Sequence, residues 1–481
     1  MSESSALYAA FKAKDARFDG RFFVGISSTK IYCRPVCHAK MPKQENCTFY
    51  ASAAEAEAAG HRPCLLCRPE LAPGAAADTL AARAAQLLES HCGSGLRLSQ
   101  LAARLRCSDR HLRRAFVCTY HVTPVAYLQT CRLLLAKSLL TDTRLSVLDV
   151  AMASGFGSLR RFNALFQTHY RMSPSALRKS AAVAIPPPGE IRIALGYRPP
   201  YPFEQMLRFL SARAIAGIER VEGGEYLRTV RLMSPKGAWV SGFIKVSHRP
   251  ETHALSVALS EALLPVLPQV LAKVSHLFDL RCDPAAIYDH LAPMNRISPG
   301  LCTLGTRLPG CFDPYEMAVR AVLGQQITVK AATTLAGRLT HAFGVPLSTA
   351  IDGLTHAFPT PAEILTLPEP IEAHLGPLGI LRARANTIRA LAEAFQRGEI
   401  DADTCTDPED QMRKLRALPG IGEWTAQYIA MRAMAWPDAF LATDAGVKKA
   451  LAPHPPSALR LMAEPWRPWR SYATVNLWNS L

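Results

Sequence analysis

Ile31-Tyr32-Cys33-Arg34-Pro35-Val36-Cys37, followed by Arg62-Pro63-Cys64-Leu65-Leu66-Cys67-Arg68, decides how the N-terminal part of this chain folds. Two closely spaced thiol pairs about one small hairpin apart are what a tetrahedral Zn²⁺ site requires. Two disulfides are the competing use of the same residues. The other nine of the 13 cysteines are scattered and no signal peptide precedes these residues, the usage of a reducing compartment. One structural four-cysteine zinc, held by Cys33, Cys37, Cys64 and Cys67, is therefore expected in a small domain over residues 1–74.

Thr29, Lys30, Arg34, Arg62 and Arg68 flank the cysteines, with Tyr32, Phe49 and Tyr50 among them, a composition suited to docking on a phosphate backbone. Four thiolates around one Zn²⁺ carry a net charge of about −2, so a sulfur that reaches solvent is nucleophilic without a partner base. The stretch Ile31 to Cys37, with Asp19-Gly20 upstream and Arg62 to Cys67 downstream, resembles the N-terminal domain of the Ada-type adaptive-response protein. The resemblance implies that Cys33 takes a methyl group from a methylphosphotriester in DNA while Cys37, Cys64 and Cys67 hold the metal. Spacing by itself does not separate the reactive sulfur from the other three. Alkylating one thiolate would remove one negative charge facing the phosphates and tighten DNA binding, so that damage becomes affinity. The transfer would be stoichiometric, since a thioether is a poor leaving group.

At 481 residues and 49% hydrophobic composition the chain is long enough for about three domains, each with its own core. Lys and Arg total 55 against 39 Asp and Glu, an excess that favours a polyanionic partner. No long apolar run or basic amphipathic anchor supports a membrane. A cytoplasmic, nucleoid-associated protein that binds double-stranded DNA is expected.

Residues 78–180 contain an internal repeat. Leu112, Phe116 and Thr123-Pro124 recur as Phe162, Phe166 and Ser173-Pro174, and Arg110 matches Arg160. Each copy reads as two helices about a turn, the second bearing Arg110, Arg113 and Arg114 or Arg160, Arg161 and Asn163. Either copy alone could be a basic solvated face; in tandem they read as paired helix-turn-helix units with Arg and Asn available for base edges and phosphates. Asp149-Val150-Ala151, Gly155-Phe156, Phe162, Phe166 and Ser173-Pro174 resemble the AraC-type DNA-binding domain. That resemblance implies a transcriptional activator reading two groove turns as a monomer, with RNA polymerase as a further partner.

Ile185-Pro186-Pro187-Pro188-Gly189 marks a stiff linker over 181–189. Short β-type runs follow, Ile191 to Leu195, Tyr226 to Leu232, Ala238 to Val246 and Thr252 to Leu259, with one helix near Phe203 to Ala214. A small antiparallel-sheet α+β subdomain over 190–305 is expected, and an all-α domain over 306–481. The fold class is thus multidomain and mainly α with α+β parts.

Leu418-Pro419-Gly420-Ile421-Gly422-Glu423-Trp424-Thr425-Ala426 is the second chemical site. Gly420 and Gly422 permit a tight turn between helices, bring backbone amides close to a phosphate and open a helix with its positive end outward. Asp444 follows before Val447-Lys448-Lys449, where an N-cap is the ordinary role. Together these residues resemble the helix-hairpin-helix DNA glycosylases. The stretches Tyr197 to Ala214, Leu277 to Cys282 with Pro284, Arg307 to Cys311, Arg320 to Gln325 and Trp466 to Tyr472 resemble the AlkA-type 3-methyladenine branch. The resemblance implies base flipping, Asp444 as the carboxylate that stabilises an oxocarbenium-like sugar, and Trp424, Tyr428 and Trp478 as an aromatic base pocket. It also places a monovalent cation on carbonyls near Leu418 and Gly420. An alkylated purine leaves already positively charged, so one carboxylate suffices.

Trp424 stands where lyase-competent relatives carry a nucleophilic Lys, so only monofunctional hydrolysis is expected. No Cys follows Cys405, excluding a C-terminal iron–sulfur cluster, and no Pro-Cys-His-Arg occurs for an O6-methylguanine methyltransferase. Gln326 replaces the leucine wedge, and Thr443 and Ala445 replace an acidic and an aromatic neighbour of the catalytic position. The reading is an alkylation-damage protein joining methylphosphotriester-sensing transcriptional activation to excision of alkylated purines. The alternative is a regulator alone, with an inactive glycosylase-like DNA clamp.

Overall fold

The computed structural model describes every residue except 1–2, 75–78, 95, 181–186, 188, 403, 404 and 406. In the N-terminal module four short strands, β1 (Phe23–Ile26), β2 (Ile31–Cys33), β3 (Cys47–Tyr50) and β4 (Arg62–Pro63), form a sheet of order β3-β1-β2-β4. Parallel pairing of β2 with β4 sets Tyr32 opposite Pro63, which brings the next residues, Cys33 and Cys64, side by side. Ala10 and Phe11 of α1 (Glu3–Lys12) join the core around the cysteines, and Ala56 of α2 (Ala53–Ala58) packs with Phe23 and Tyr32.

The second module runs α3 (Leu80–Ser90), α4 (Leu98–Arg104), α5 (Asp109–Tyr120), α6 (Pro124–Asp142), α7 (Val147–Ala153), α8 (Leu159–Tyr170) and α9 (Pro174–Ser180). The sequence repeat is written in its caps. Ser108 and Ser158 accept from the amides of His111 and Arg161, while His121 and Arg171 end α5 and α8 in left-handed backbone. Leu112 and Phe116, then Phe162 and Phe166, are fully buried on the inner faces. Most of the expected 181–189 linker lies outside the described residues.

Five strands follow: β5 (Glu190–Gly196), β6 (Glu219–Glu222), β7 (Glu225–Met233), β8 (Trp239–Arg249) and β9 (Ala254–Ser260), antiparallel in the order β5-β9-β8-β7-β6. Edge strand β6 is absent from the runs read in the sequence, because Glu-Arg-Val-Glu neither alternates nor is apolar. Helices α10 (Phe203–Ser211) and α11 (Leu267–Leu277) pack on the sheet through Leu207, Leu210, Val270 and Val274.

Packing crosses the expected boundary at residue 305. Cys282, Met294 and Cys302, with Ile287 and Leu291 of α12 (Pro284–Leu291), share a core with Phe440, Leu451 and Trp466. A helix buries one stripe, and that of α12 meets the C-terminal lobe rather than the sheet. The lobe comprises α13 (Pro314–Leu323), α14 (Val329–Phe343), α15 (Pro361–Leu365), α16 (Glu372–Leu375), α17 (Arg382–Gln396), α18 (Pro408–Ala417), α19 (Glu423–Ala433), α20 (Ala445–Ala450), α21 (Pro456–Met462) and α22 (Arg470–Asn479). No helix among the described residues is long and apolar enough to cross a membrane.

The modules interlock. One apolar core runs from Leu133, Leu140 and Val150 into Ile191, Ile193 and Val257. Arg198, 3% exposed, donates to the carbonyls of Asp19, Pro73 and Gly74 on the zinc-type module and to those of Arg281 and Cys282. Burial lowers its pKa to about 10, so it stays charged at neutral pH. Arg198→Met strands these buried acceptors, and we expect it to lower stability by about 3 kcal/mol, read as a reduced urea midpoint. An unchanged midpoint would show that the contact is incidental.

Candidate metal centre and candidate active site

Strands β2 and β4 and the turns after them bring the sulfurs of Cys33, Cys37, Cys64 and Cys67 within 4.8 Å of one another, the one such cluster among the described residues. Four thiolates arranged tetrahedrally on Zn²⁺ have sulfurs about 3.8 Å apart, so the cluster fits the ion. The four differ in their amide partners. Cys67 Sγ accepts from the Arg34 N–H at 3.3 Å, and Cys37 and Cys64 are lowered in part by backbone hydrogen bonds from Ala39 and Cys67. The main influences on Cys33 are the other three sulfurs and burial. An amide hydrogen bond withdraws electron density from a thiolate, and the Arg34 N–H does this to Cys67. Cys33 is buried, at 2%, whereas Cys67 is half-buried.

Two flanking arginines expected on DNA are corrected. Arg34 is buried, its guanidinium held by the Asp19 carboxylate and the Cys67 carbonyl. It braces the cysteine loop, because a desolvated guanidinium must be paired. Arg68 is spent on Glu70 and on Asp142 of α6, beside a buried Lys137–Glu70 pair at 2.6 Å. By contrast Arg110, Arg113, Arg114, Arg160, Arg161 and Asn163 are exposed on α5 and α8.

The second site is built on the turn between α18 and α19. Gly420 has φ +79°, and a Cβ there would meet Thr387 Oγ1, so backbone and packing both demand glycine. Gly422, the N-cap of α19, has ordinary φ and open space where a Cβ would project. That leaves the first amides of α19 approachable, as anion binding needs. Gln325 braces the turn, its Nε2 donating to the Gly420 carbonyl at 2.9 Å and to Thr425 Oγ1 at 3.0 Å. Arg384 holds the Gln325 carbonyl, and the next residue, Gln326, is thrust out exposed with φ 56°.

Helix α19 carries Trp424 and Tyr428 one turn apart, stacked at 5.1 Å and 11°. Trp478 comes from α22, its ring 6.4 Å from that of Tyr428. Both indoles turn their N–H to one carboxylate: Trp424 Nε1 donates to Asp444 Oδ2 at 3.1 Å and Trp478 Nε1 to Oδ1 at 2.8 Å. Oδ1 also accepts from the amides of Gly446 and Val447, so Asp444 caps α20 and serves the cleft at once. It is half-buried, within reach of a ligand.

Sequence reading missed Phe209. It stacks on Trp478 at 6.0 Å, with Arg213 3.8 Å and Arg432 4.9 Å over its ring. Its one signal was an aromatic off the apolar stripe of α10, too common to single out. Arg432 Nη1 donates to the Tyr428 hydroxyl at 2.7 Å. Burial acts to raise the Tyr428 pKa, but Arg432, Arg213 and Arg320 together hold it below the ordinary phenol value.

Behind the cleft, Asp279 accepts from Tyr472 of α22 and from the Leu308 amide, yet burial raises its carboxyl to about 6. A folded value above the ordinary 3.8 means its contribution to stability is full below about pH 4 and lost as pH rises through 6. We expect Asp279→Asn to remove about 2–3 kcal/mol of that pH dependence, measured by chemical unfolding between pH 4 and 7. Parallel curves for the two proteins would refute this.

Comparison with known proteins gives four family matches: "Metal binding domain of Ada" over residues 6–70, "Helix-turn-helix domain" over 101–180, "AlkA N-terminal domain" over 192–313 and "HhH-GPD superfamily base excision DNA repair protein" over 319–455. The chain is 37% identical over 98% of its length, and 96% of the relative's, to the "Probable bifunctional transcriptional activator/DNA repair enzyme AlkA" of Mycobacterium tuberculosis. It is 36% identical to the "DNA-3-methyladenine glycosylase 2" of Escherichia coli over 59% of this chain and 95% of that one. Over 25% of this chain and 34% of the relative, it is 41% identical to the E. coli "Bifunctional transcriptional activator/DNA repair enzyme Ada".

Proposed function

Because the chain belongs to the family of bifunctional transcriptional activator/DNA repair enzymes of the AlkA kind, we propose that it excises 3-methyladenine and related alkylated purines from DNA and reports methylphosphotriesters through its N-terminal module. The convergence of Trp424 and Trp478 on Asp444 carries the first half of this reading. A flipped, electron-poor base is received by Trp424, Tyr428, Trp478 and Phe209. The N-glycosidic bond breaks with its electron pair leaving on the base, which neutralises an alkylated purine. Asp444, fixed by four N–H donors, faces the sugar as positive charge develops, and water completes hydrolysis at the anomeric carbon. Gln326 fills the space left in the stack, and the amides behind Gly422 hold a phosphate. A monovalent cation belongs on the Leu418 and Gly420 carbonyls, each of which already accepts one hydrogen bond, from Ile421 N and Gln325 Nε2.

In the sensor, Cys33, Cys37, Cys64 and Cys67 hold Zn²⁺, which when bound keeps the sulfurs as thiolates. Cys33 Sγ attacks the methyl carbon of the triester; the S–C bond forms, the C–O bond breaks, and its electron pair stays on the phosphate as a diester anion. The basic faces of α5 and α8 then bind promoter DNA more tightly, with RNA polymerase as the activator's partner and one chain acting as a monomer. The test uses the full chain on duplex carrying N3-methyladenine or N7-methylguanine. Release of free base with matching abasic sites is the expected result. Absence of release from folded protein on both lesions would leave a regulator with a DNA clamp.

A further inference from the structure

Helix α2 of the zinc-type module carries a buried carboxylate that none of the proposed chemistry uses. The Glu57 side chain is 1% exposed. Its Oε1 accepts from the Tyr32 hydroxyl at 3.1 Å, and its Oε2 accepts from Thr130 Oγ1 of α6 at 2.8 Å and lies 3.5 Å from His169 Nδ1 of α8. Tyr32 is fully buried, precedes Cys33 in β2, and its carbonyl accepts from the Cys64 amide at 3.0 Å. One carboxylate therefore touches the strand that carries Cys33 and holds Cys64, the helix joining the two helix-turn-helix copies, and the second recognition helix.

The rest of α2 repeats this arrangement. Glu55 meets His121, the left-handed residue ending α5, at 2.8 Å, and the Gly60 carbonyl just beyond α2 accepts from Arg171, the residue ending α8, at 3.4 Å. Thus the ends of both recognition helices rest on one short segment, with Glu57 at its buried centre. A desolvated carboxylate with three fixed partners is costly to rearrange piecemeal, so a shift of β2 moves Glu57 and what it holds together.

We propose that Glu57 is a positioning residue that carries the state of the cysteine cluster to the recognition helices, in addition to any direct electrostatic effect of methylation on DNA. This rests on the sensor reading above. When Cys33 is alkylated, β2 and Tyr32 resettle, and Glu57 resets α8 against α6. The unmethylated form is held away from the geometry that best spans two groove turns, and methylation releases it.

The test compares the full chain with Glu57→Gln and Thr130→Val. Gln cannot accept from both hydroxyls, and Val removes one hydrogen bond at nearly constant shape. Each protein is methylated with an oligonucleotide bearing a methylphosphotriester, and its affinity for a labelled mixed-sequence duplex is measured before and after. Zinc content, methyl stoichiometry and base excision establish that the variants are folded. The expected result is binding before methylation already raised toward the methylated level, so that the methylation-dependent gain falls about tenfold in Glu57→Gln, within the usual span of site-to-site couplings, with a smaller fall in Thr130→Val. A merely structural role would lower binding before and after alike. Full gain in both variants overturns this proposal alone; no gain in the unsubstituted chain overturns it together with the sensor reading.

Discussion

Asp444→Asn lowers excision of N3-methyladenine by roughly 10³-fold, a loss of about 4 kcal/mol of transition-state stabilisation. The substitution removes the negative charge facing the developing sugar cation while leaving most of the scaffold in place. Asn Oδ1 can still accept from the amides of Gly446 and Val447 and from Trp478, as Asp444 does. Its Nδ2, however, then faces the donating indole of Trp424, which now meets Asp444 Oδ2. Two donors pointed at each other cost about 1–2 kcal/mol locally, so a modest fall in stability should accompany the kinetic loss. Single-turnover base release measures the first effect and chemical unfolding the second. Retained affinity for a duplex containing an abasic site would show that the DNA face is intact. Excision reduced by less than tenfold would mean that Asp444 is chiefly the cap of α20.

The same carboxylate illustrates what a sequence reveals. An Asp before a helical run reads as an N-cap, and Asp444 is one; that its other oxygen meets an indole follows only once α19, α20 and α22 are packed. Local signals were legible where chemistry repeats at short spacing: the paired cysteines, the duplicated Ser caps with their Phe cores, and the Gly-x-Gly turn. Interlocking of the modules was not. Arg34 looks like a DNA contact among basic neighbours, yet its partner, Asp19, arrives from a preceding loop. Arg68 finds Asp142 at the far end of α6, and Arg198 gathers carbonyls from residues more than a hundred positions away. Charge on a sequence shows only that a residue must be solvated or paired, and the fold decides which. Phe209 and Glu57 are hidden for the same reason, since their roles depend on partners in other modules.

Cys33→Ala should abolish methyl acceptance from a phosphotriester, and in the unsubstituted chain the methyl should be found on the peptide containing Cys33 and on neither Cys64 nor Cys67. Exposure argues the other way, since Cys67 is the more accessible of the two. Electron density and access therefore make opposite forecasts. The Arg34 N–H withdraws charge from Cys67, and a thiolate attacking carbon needs that charge more than it needs a wide opening. A methyl group is small, and the charged diester phosphates flanking the neutral triester can dock on cations such as Lys30, so a narrow approach to Cys33 is enough. Mass spectrometry of the methylated chain locates the adduct directly, without relying on a variant that weakens the metal site. A methyl on Cys67 would show that access prevails over electron density in this cluster, and would transfer the acceptor role to the sulfur braced by Arg34.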